Sequence, residues 1–265
     1  PAPPLPLPAP PLAPAGRLAT FRARLRSRLL TAVSLEHPPP ERFGFRFDTA
    51  ERLFLVTAFF RTFYFRVACE GIDGLPPGPV MLVANHGSHV LAWDGAMIVT
   101  SCLLDADPPR LVHGMGDHLL MQLPVLGAVA RRIGATDGCR LVCTDLLRAG
   151  AAVLTFPEGV DALHRPFGQR YQLCAFRHGF MHVALAPGGP VVAVALIGAE
   201  EEAPLLGNPR WLARLLRTPV APLSPTLVLP LPVKYRIHFG TPLHFRGPTT
   251  PEVVARHLVT VRTAL

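Results

Sequence analysis

Apolar and polar positions change period along this chain, and the change divides it. Between Arg17 and Leu35, Phe21, Leu25 and Leu29 recur at i, i+4 with Arg22, Arg24, Arg26 and Arg28 among them, which predicts a helix stopped by Pro38, Pro39 and Pro40. A second helix is predicted from about Thr49 to Val67, carrying Leu53, Phe54, Leu55, Phe59, Phe60, Phe63, Tyr64 and Phe65, with Arg52, Arg61 and Arg66 between them. From Gly71 onward the pattern alternates. Short apolar runs near 79–84, 110–113, 151–156 and 190–198 predict strands, and the stretches near 94–104, 116–133, 139–149 and 176–186 predict helices. The run from His178 to Ala199 is uncharged and nominally long enough to span a bilayer, but Ala186-Pro187-Gly188-Gly189-Pro190 would break a spanning helix. It reads better as helix, turn and buried strand. Residues 203–233 are rich in proline and suggest no element, Val233 to Gly240 predicts one more strand, and Thr250, Pro251 and Glu252 announce a last helix with Thr250 as its N-cap.

Strands alternating with helices imply an α/β fold, a largely parallel sheet flanked by helices. The expected organisation is a disordered Pro-rich tail (1–16), a basic and aromatic helical segment (17–70) and a catalytic domain (71–265). The second helix is too charged to span a bilayer and very aromatic for a helix facing water, so 17–70 reads as a membrane-associating extension. The alternative is that both helices simply pack on the core.

Charge sharpens this division. The formal net charge is +8, and residues 1–68 hold ten arginines against four acids, a surplus of six. The remainder is close to neutral, which excludes a nucleic-acid groove there and directs the basic part toward anionic lipid or a phosphate-bearing cofactor. The five cysteines, Cys69, Cys102, Cys139, Cys143 and Cys174, show no paired spacing and read as reduced and mostly buried in a cytosolic protein. No basic-then-apolar leader is legible at the start.

Two strand ends carry the candidate chemistry. The run from Pro79 to Ala84 leads into Asn85-His86-Gly87-Ser88-His89 and on to Trp93-Asp94, and the run from Ala151 to Phe156 leads into Pro157-Glu158-Gly159. Open α/β sheets gather ligands at such ends, so the two point to one shared site. An Asn-His…Asp block followed by Phe-Pro-Glu-Gly resembles the phospholipid/glycerol acyltransferase superfamily. The likeness continues through Arg165-Pro166-Phe167, Tyr171-Gln172-Leu173, Phe176 to Phe180 and Val191 to Glu201, and is closest to the lysophospholipid, monoacylglycerol and diacylglycerol acyltransferase branch.

The resemblance implies transfer of a fatty acyl group from acyl-CoA or acyl carrier protein to the hydroxyl of a lysophospholipid or other glycerolipid, at the cytoplasmic face of a membrane, with no metal and no permanently bound cofactor. Such a reaction needs a base for the hydroxyl proton, and a histidine oriented by a carboxylate supplies it. The family's histidine follows the asparagine, which selects His86 with Asp94; His89 with Asp94 has the commoner spacing and stays open. Neither spacing puts the pair on one helical face, so the histidine belongs on the turn and Asp94 at the helix entrance. Asp94 could equally be an N-cap.

The resemblance also gives Asn85, Phe156, Pro157, Glu158 and Gly159 to the acceptor site, where a bland reading makes Glu158 a surface turn. Phosphate-binding members continue with Thr-Arg-Ser, whereas Val160-Asp161-Ala162 follows here, so a phosphomonoester acceptor is less secured and Arg165 is the candidate replacement arginine. Arg131 and Arg132 read as a basic helix end, and Glu200-Glu201-Glu202 as the start of a solvated loop. His113, His118, His164, His178 and His182 follow no metal-binding pattern. Two alternatives remain: acylation of a non-glycerol lipid or alcohol, or a non-catalytic lipid-binding member.

Overall fold

The computed structural model describes residues 14–36, 39–87, 92–122, 124–185, 189–207, 209–216, 223–224, 226 and 229–265. At its centre is β2 (Val80–Ala84), which pairs in parallel with β5 (Ala152–Thr155) on one side and β6 (Val191–Ile197) on the other. Outside β5 lie β3 (Val112–Gly116) and the two-residue β4 (Thr136–Asp137), also parallel. On the other edge β7 (Arg236–Phe239) runs antiparallel to β6 and pairs in parallel with β1 (Ala68–Glu70), giving the order β1-β7-β6-β2-β5-β3-β4.

Every residue of β2 is buried because both faces of the sheet are covered. Val80, Leu82 and Ala84 point to a core completed by Met97, Ile98 and Cys102 of α3 (Trp93–Leu104). Met81 and Val83, one step out of phase, point to a core built with α6 (Arg140–Arg148), α7 (Gly179–Ala184) and α10 (Pro251–Ala264). The sheet is therefore a middle layer between helices.

The N-terminal helices, α1 (Pro14–Ser34) and α2 (Phe47–Phe59), pack on this body. Leu25, Leu29, Ala32, Ala50 and Phe54 are buried together with Phe45, Leu103 and Leu111. Much of the basic surplus is engaged in holding them there. Arg22 and Arg26 pair with the buried Glu51, Arg61 pairs with Asp105 and donates to Ser101, and Arg28 donates to the carbonyls of Leu103 and Ala106 at the C-terminal end of α3. Cations at a helix C-terminus meet its negative dipole end. His113, on β3 with no exposed side chain, has an oxygen at each ring nitrogen, Gly134 O at 2.9 Å and Glu36 Oε2 at 2.9 Å, and so ties the end of α1 to the sheet. No described helix is long and apolar enough to cross a membrane.

Several elements differ from expectation. The helix predicted through Val67 ends at Phe59, passes through one π turn (Phe60–Tyr64) and is followed by β1, a three-residue strand for which the sequence suggested no element. The single helix predicted over 116–133 is two short ones, α4 (His118–Gln122) and α5 (Leu126–Arg132), with Pro124 between them. The predicted helix over 176–186 shortens to α7, and α8 (Ala199–Glu202) and α9 (Arg210–Leu216) occupy stretches that suggested no helix. Thr250 precedes α10, but its side chain makes no capping hydrogen bond; the helix entry rests on Pro251 at the first position. All five cysteines are free, with Cys102 and Cys143 buried, Cys69 and Cys174 half-buried and Cys139 exposed. The Pro-rich tail lies outside the described residues up to residue 13, and α1 begins at Pro14.

Since Leu29 is fully buried where α1, α2 and α3 meet, Leu29→Ala should cost about 2–5 kcal/mol of unfolding free energy in a urea titration. A cost below about 1 kcal/mol would show that the N-terminal pair is an independent appendage.

Candidate active site

Three neighbouring parallel strands, β5, β2 and β6, end on the same edge of the sheet, and each delivers a carboxylate or an imidazole just beyond its last residue. After β2, Asn85 continues the ladder with its side chain: its amide nitrogen donates to Leu196 O at 2.8 Å and its oxygen accepts from Leu196 N at 2.7 Å. Asn85 is buried and both ends of its amide are held by β6, so its observed task is to extend β2 by one step and fix where His86 begins.

His86 lies on the turn and Asp94 in the first turn of α3, as their spacing requires. His86 Nδ1 and Asp94 Oδ2 are 2.6 Å apart, and the same oxygen accepts the Gly87 amide at 3.0 Å while Oδ1 accepts the Gly95 amide at 2.7 Å. The N-cap position belongs to Ala92, with φ 45°, so Asp94 is not the cap residue. Its carboxylate is fully buried, and the imidazole is about one-eighth exposed. Burial acts to lower the His86 pKa, but the Asp94 charge and hydrogen bond, aided by Glu158, outweigh it and raise it above the ordinary histidine value. Phe156 stacks on the imidazole, centroids 4.5 Å apart at 29°. Trp93 belongs to an aromatic wall with Phe60 and Phe65, 4.5 and 5.7 Å away. His89 lies outside the described residues.

Glu158 is no surface turn. It is fully buried at the end of β5, where Oε1 accepts the His86 amide at 3.0 Å and Oε2 accepts the Cys174 amide at 2.6 Å and Arg165 Nη2 at 2.5 Å. The turn closes through Gly159 N to Phe156 O at 3.0 Å, and Pro157 O accepts the Arg177 amide at 2.9 Å. Gly159 has φ +58°, and the Arg177 guanidinium lies 3.1 Å from where its Cβ would stand. Arg177 pairs with Asp161, which stands in the stretch that replaces Thr-Arg-Ser.

Arg165 is buried too. Its guanidinium bridges Glu158 and Glu200, with Nη1 2.9 Å from Glu200 Oε1. Glu200 is the site residue that the sequence pattern missed, because a run of three glutamates suggests a solvated loop. Gly198, with φ +110°, turns the chain from β6 into α8; a Cβ there would meet Lys234 O at 2.7 Å. That turn brings Glu200 against Gly87, whose own Cβ would fall 2.8 Å from Ala199 Cβ and 3.0 Å from Glu200 Cδ. Burial raises the Glu200 carboxyl above the usual range despite Arg165. Among the described residues no group of three or more potential metal ligands is assembled.

A family model described as Acyltransferase matches residues 66–197, from β1 through β6 and across both strand-end blocks. The chain belongs to the phospholipid/glycerol acyltransferase superfamily. A Mycobacterium tuberculosis protein described as uncharacterized is 35% identical over 237 residues, covering 85% of this chain and 64% of its own length. The chain thus spans a little under two thirds of that relative's length. The "DGAT1/2-independent enzyme synthesizing storage lipids" of Gallus gallus is 26% identical over 194 residues, 71% of this chain and 54% of that enzyme. The crystal structure of the 1-acyl-sn-glycerophosphate (LPA) acyltransferase PlsC from Thermotoga maritima matches with a TM-score of 0.52 at 16% identity, covering 92% of this chain and 96% of that one, a likeness of fold.

Removing the Glu158 carboxylate would strip an acceptor from two backbone amides and one partner from a buried guanidinium. Glu158→Ala should therefore cost about 3–5 kcal/mol in chemical denaturation, and a change under about 1 kcal/mol would show that water replaces the carboxylate without loss.

Proposed function

We propose that this acyltransferase moves a fatty acyl group from an acyl thioester, acyl-coenzyme A or acyl carrier protein, to the hydroxyl of a glycerolipid acceptor such as a lysophospholipid, with His86 as general base. The observation that carries the reading is the 2.6 Å contact between His86 Nδ1 and a fully buried Asp94. With Nδ1 held by the carboxylate, Nε2 is the nitrogen that takes the acceptor's hydroxyl proton, and Asp94 stabilises the resulting imidazolium. The freed alkoxide attacks the thioester carbonyl, and the proton held on His86 leaves with the thiolate. Asn85 and Glu158 are positioning residues: one fixes the end of β2, and the other holds the His86 amide. Phe156 restrains the ring from one face. Arg165, engaged by two carboxylates, is a poor receptor for a phosphomonoester, which favours acceptors without one. The family membership and the storage-lipid relative support lipid acylation in general.

His86→Ala should lower turnover roughly 10²- to 10⁴-fold, measured as thiol release from acyl-coenzyme A with a glycerolipid acceptor, and Asp94→Asn should be similarly damaging. His89→Ala should cost far less. An active His86→Ala beside a folded, inactive His89→Ala would move the base to His89. The pH profile adds a direction. A raised imidazole pKa keeps the proton on longer as pH rises, so the acid limb of kcat/KM should lie above the ordinary value of about 6.5. Asp94→Asn, which removes the main raising influence, should move that limb down.

Membrane association is a proposal on separate grounds. Val56, Phe59 and Phe63 form an exposed apolar patch, with the two phenyl centroids 5.5 Å apart, on the face of α2 and its π turn opposite the buried Phe54 and Ala58. Because α1 and α2 complete a core, deleting them would confound folding with binding. The double substitution Phe59→Ser and Phe63→Ser should instead weaken co-sedimentation with anionic vesicles while leaving the melting temperature within a few degrees. Unchanged co-sedimentation would remove this face from consideration.

A further inference from the structure

The described parts of residues 203–233, the Pro-rich stretch that suggests no element, lead from the end of α8 back toward β7 as a platform whose backbone is anchored and whose apolar side chains are not. Leu231 N and Thr226 Oγ1 both donate to Glu202 O, at 2.7 and 3.1 Å. Farther out, Leu206 N donates to Leu223 O at 2.9 Å and Leu223 N to Gly207 O at 2.8 Å. The helix α9 stands between these pairings in the chain. Trp211 and Leu215, one helical turn apart, are 68% and 72% exposed, and Leu206, Leu223, Leu229 and Leu231 are exposed as well. Single exposed leucines are ordinary, but six large apolar side chains on one segment, a tryptophan among them, mark a surface that another apolar body covers.

Charge identifies that body. Between Glu202 and Glu252 the chain has no acid, while Arg210, Arg214, Arg217, Lys234, Arg236 and Arg246 fall in the same interval. Arg214, Lys234 and Arg236 are exposed. A face of leucine and tryptophan with cations and no anions suits an anionic lipid surface, where tryptophan sits at headgroup level, leucines enter the acyl boundary and arginines meet phosphate. A second copy of the same face would bring like charges together. The position also fits. Tyr64 donates to Pro230 O at 2.6 Å and Arg66 to Pro232 O at 3.1 Å, which fastens the platform to the π turn that exposes Phe63. Phe60 of that turn lies 4.5 Å from Trp93, the neighbour of Asp94, and at the other end Leu205, next to the exposed Leu206, shares a small recess with Gly87. Platform and π turn therefore border the His86–Asp94 site on two sides.

We infer that Leu206, Trp211, Leu215, Leu223, Leu229 and Leu231, with Arg214, form a docking surface for an anionic lipid bilayer and seat the sheet edge that bears His86 against it. This deepens the membrane reading given for Val56, Phe59 and Phe63, resting on it only for the joint at the π turn. The residues are different, so the two readings fail separately.

The chain has two tryptophans, so Trp93→Phe leaves Trp211 as the sole reporter. With vesicles of phosphatidylglycerol and phosphatidylcholine in equal parts, its emission should shift to the blue and be quenched by lipids brominated on the acyl chain near the headgroup. In flotation with the same vesicles, Trp211→Ser combined with Leu215→Ser should lower the partition coefficient about 10-fold or more. Arg214→Ala should lower it about 5-fold, an effect lost at high salt. Circular dichroism and melting temperature should hold, because all three side chains are exposed. An unshifted, unquenched Trp211 together with unchanged flotation of the double variant would overturn the inference. Equal flotation with pure phosphatidylcholine would overturn the choice of an anionic surface. A dimer seen by light scattering that the double variant abolishes, with flotation intact, would overturn it in favour of a second copy. The pair Phe59→Ser and Phe63→Ser separates the two membrane readings: weakening by that pair alone keeps the earlier patch and sinks this one, and weakening by the Trp211 and Leu215 pair alone does the reverse. If Trp93→Phe fails to fold, the difference in emission between the native protein and Trp211→Phe gives the same answer.

Discussion

Glu158 receives the amide of His86 from the end of β2, the amide of Cys174 from the loop before α7 and the guanidinium of Arg165, and through Arg165 it reaches Glu200 beyond β6. A fully buried carboxylate is tolerable only when its oxygens are met by donors, and here the donors come from separate pieces of chain. That requirement registers the three strand ends against one another. Together with the Asn85 amide held by β6, it determines how far beyond the sheet His86 stands. The cost of burying the charge is offset by a geometry in which few other positions of the loops are acceptable.

The His86–Asp94 pair depends on this registration from below and on α3 from the side. Asp94 reaches back from the first turn of α3 to the imidazole and to the Gly87 amide, while Phe156 closes one face of the ring. The helix is itself set by Met97, Ile98 and Cys102 in the core, and its C-terminal end is held by Arg28 from α1. The N-terminal segment is thus coupled mechanically to the site through the ordinary packing of one helix. The basic, aromatic N-terminal segment completes the protein's own core with one face, Phe54 and Ala58, and exposes Phe59 and Phe63 on another.

Charge at the sheet edge follows from the same arrangement. One guanidinium serves two glutamates, and Asp94 adds a third carboxylate beside the imidazole. The balance holds a proton on His86 more firmly than water would, and it makes the interior of the site unwelcoming to a further anion. Protonation of the imidazole is in this way linked to how Asp94, Glu158 and Arg165 share charge.

Much of this was legible without coordinates. The alternating apolar runs fixed an α/β sheet with β2, β5 and β6 near their observed places, and the spacing of His86 and Asp94 required a turn and a helix entrance because no helical face could hold both. These features are local: period, charge and turn residues act over a few positions. What only tertiary structure decided is non-local. Nothing in Glu200-Glu201-Glu202 signals burial; it arises because Gly198 turns the chain over Gly87, more than one hundred residues earlier. Arg165 looked available to a phosphate, yet two carboxylates from different strand ends enclose it. The strand β1, which follows the aromatic run, was not legible, since a three-residue strand gains its stability from β7, some 170 residues away, and not from its own pattern. Sequence determined which side chains could do chemistry and roughly on which elements they ride; the packing of those elements determined which charges meet, because a buried charge takes whatever partner the fold brings within reach.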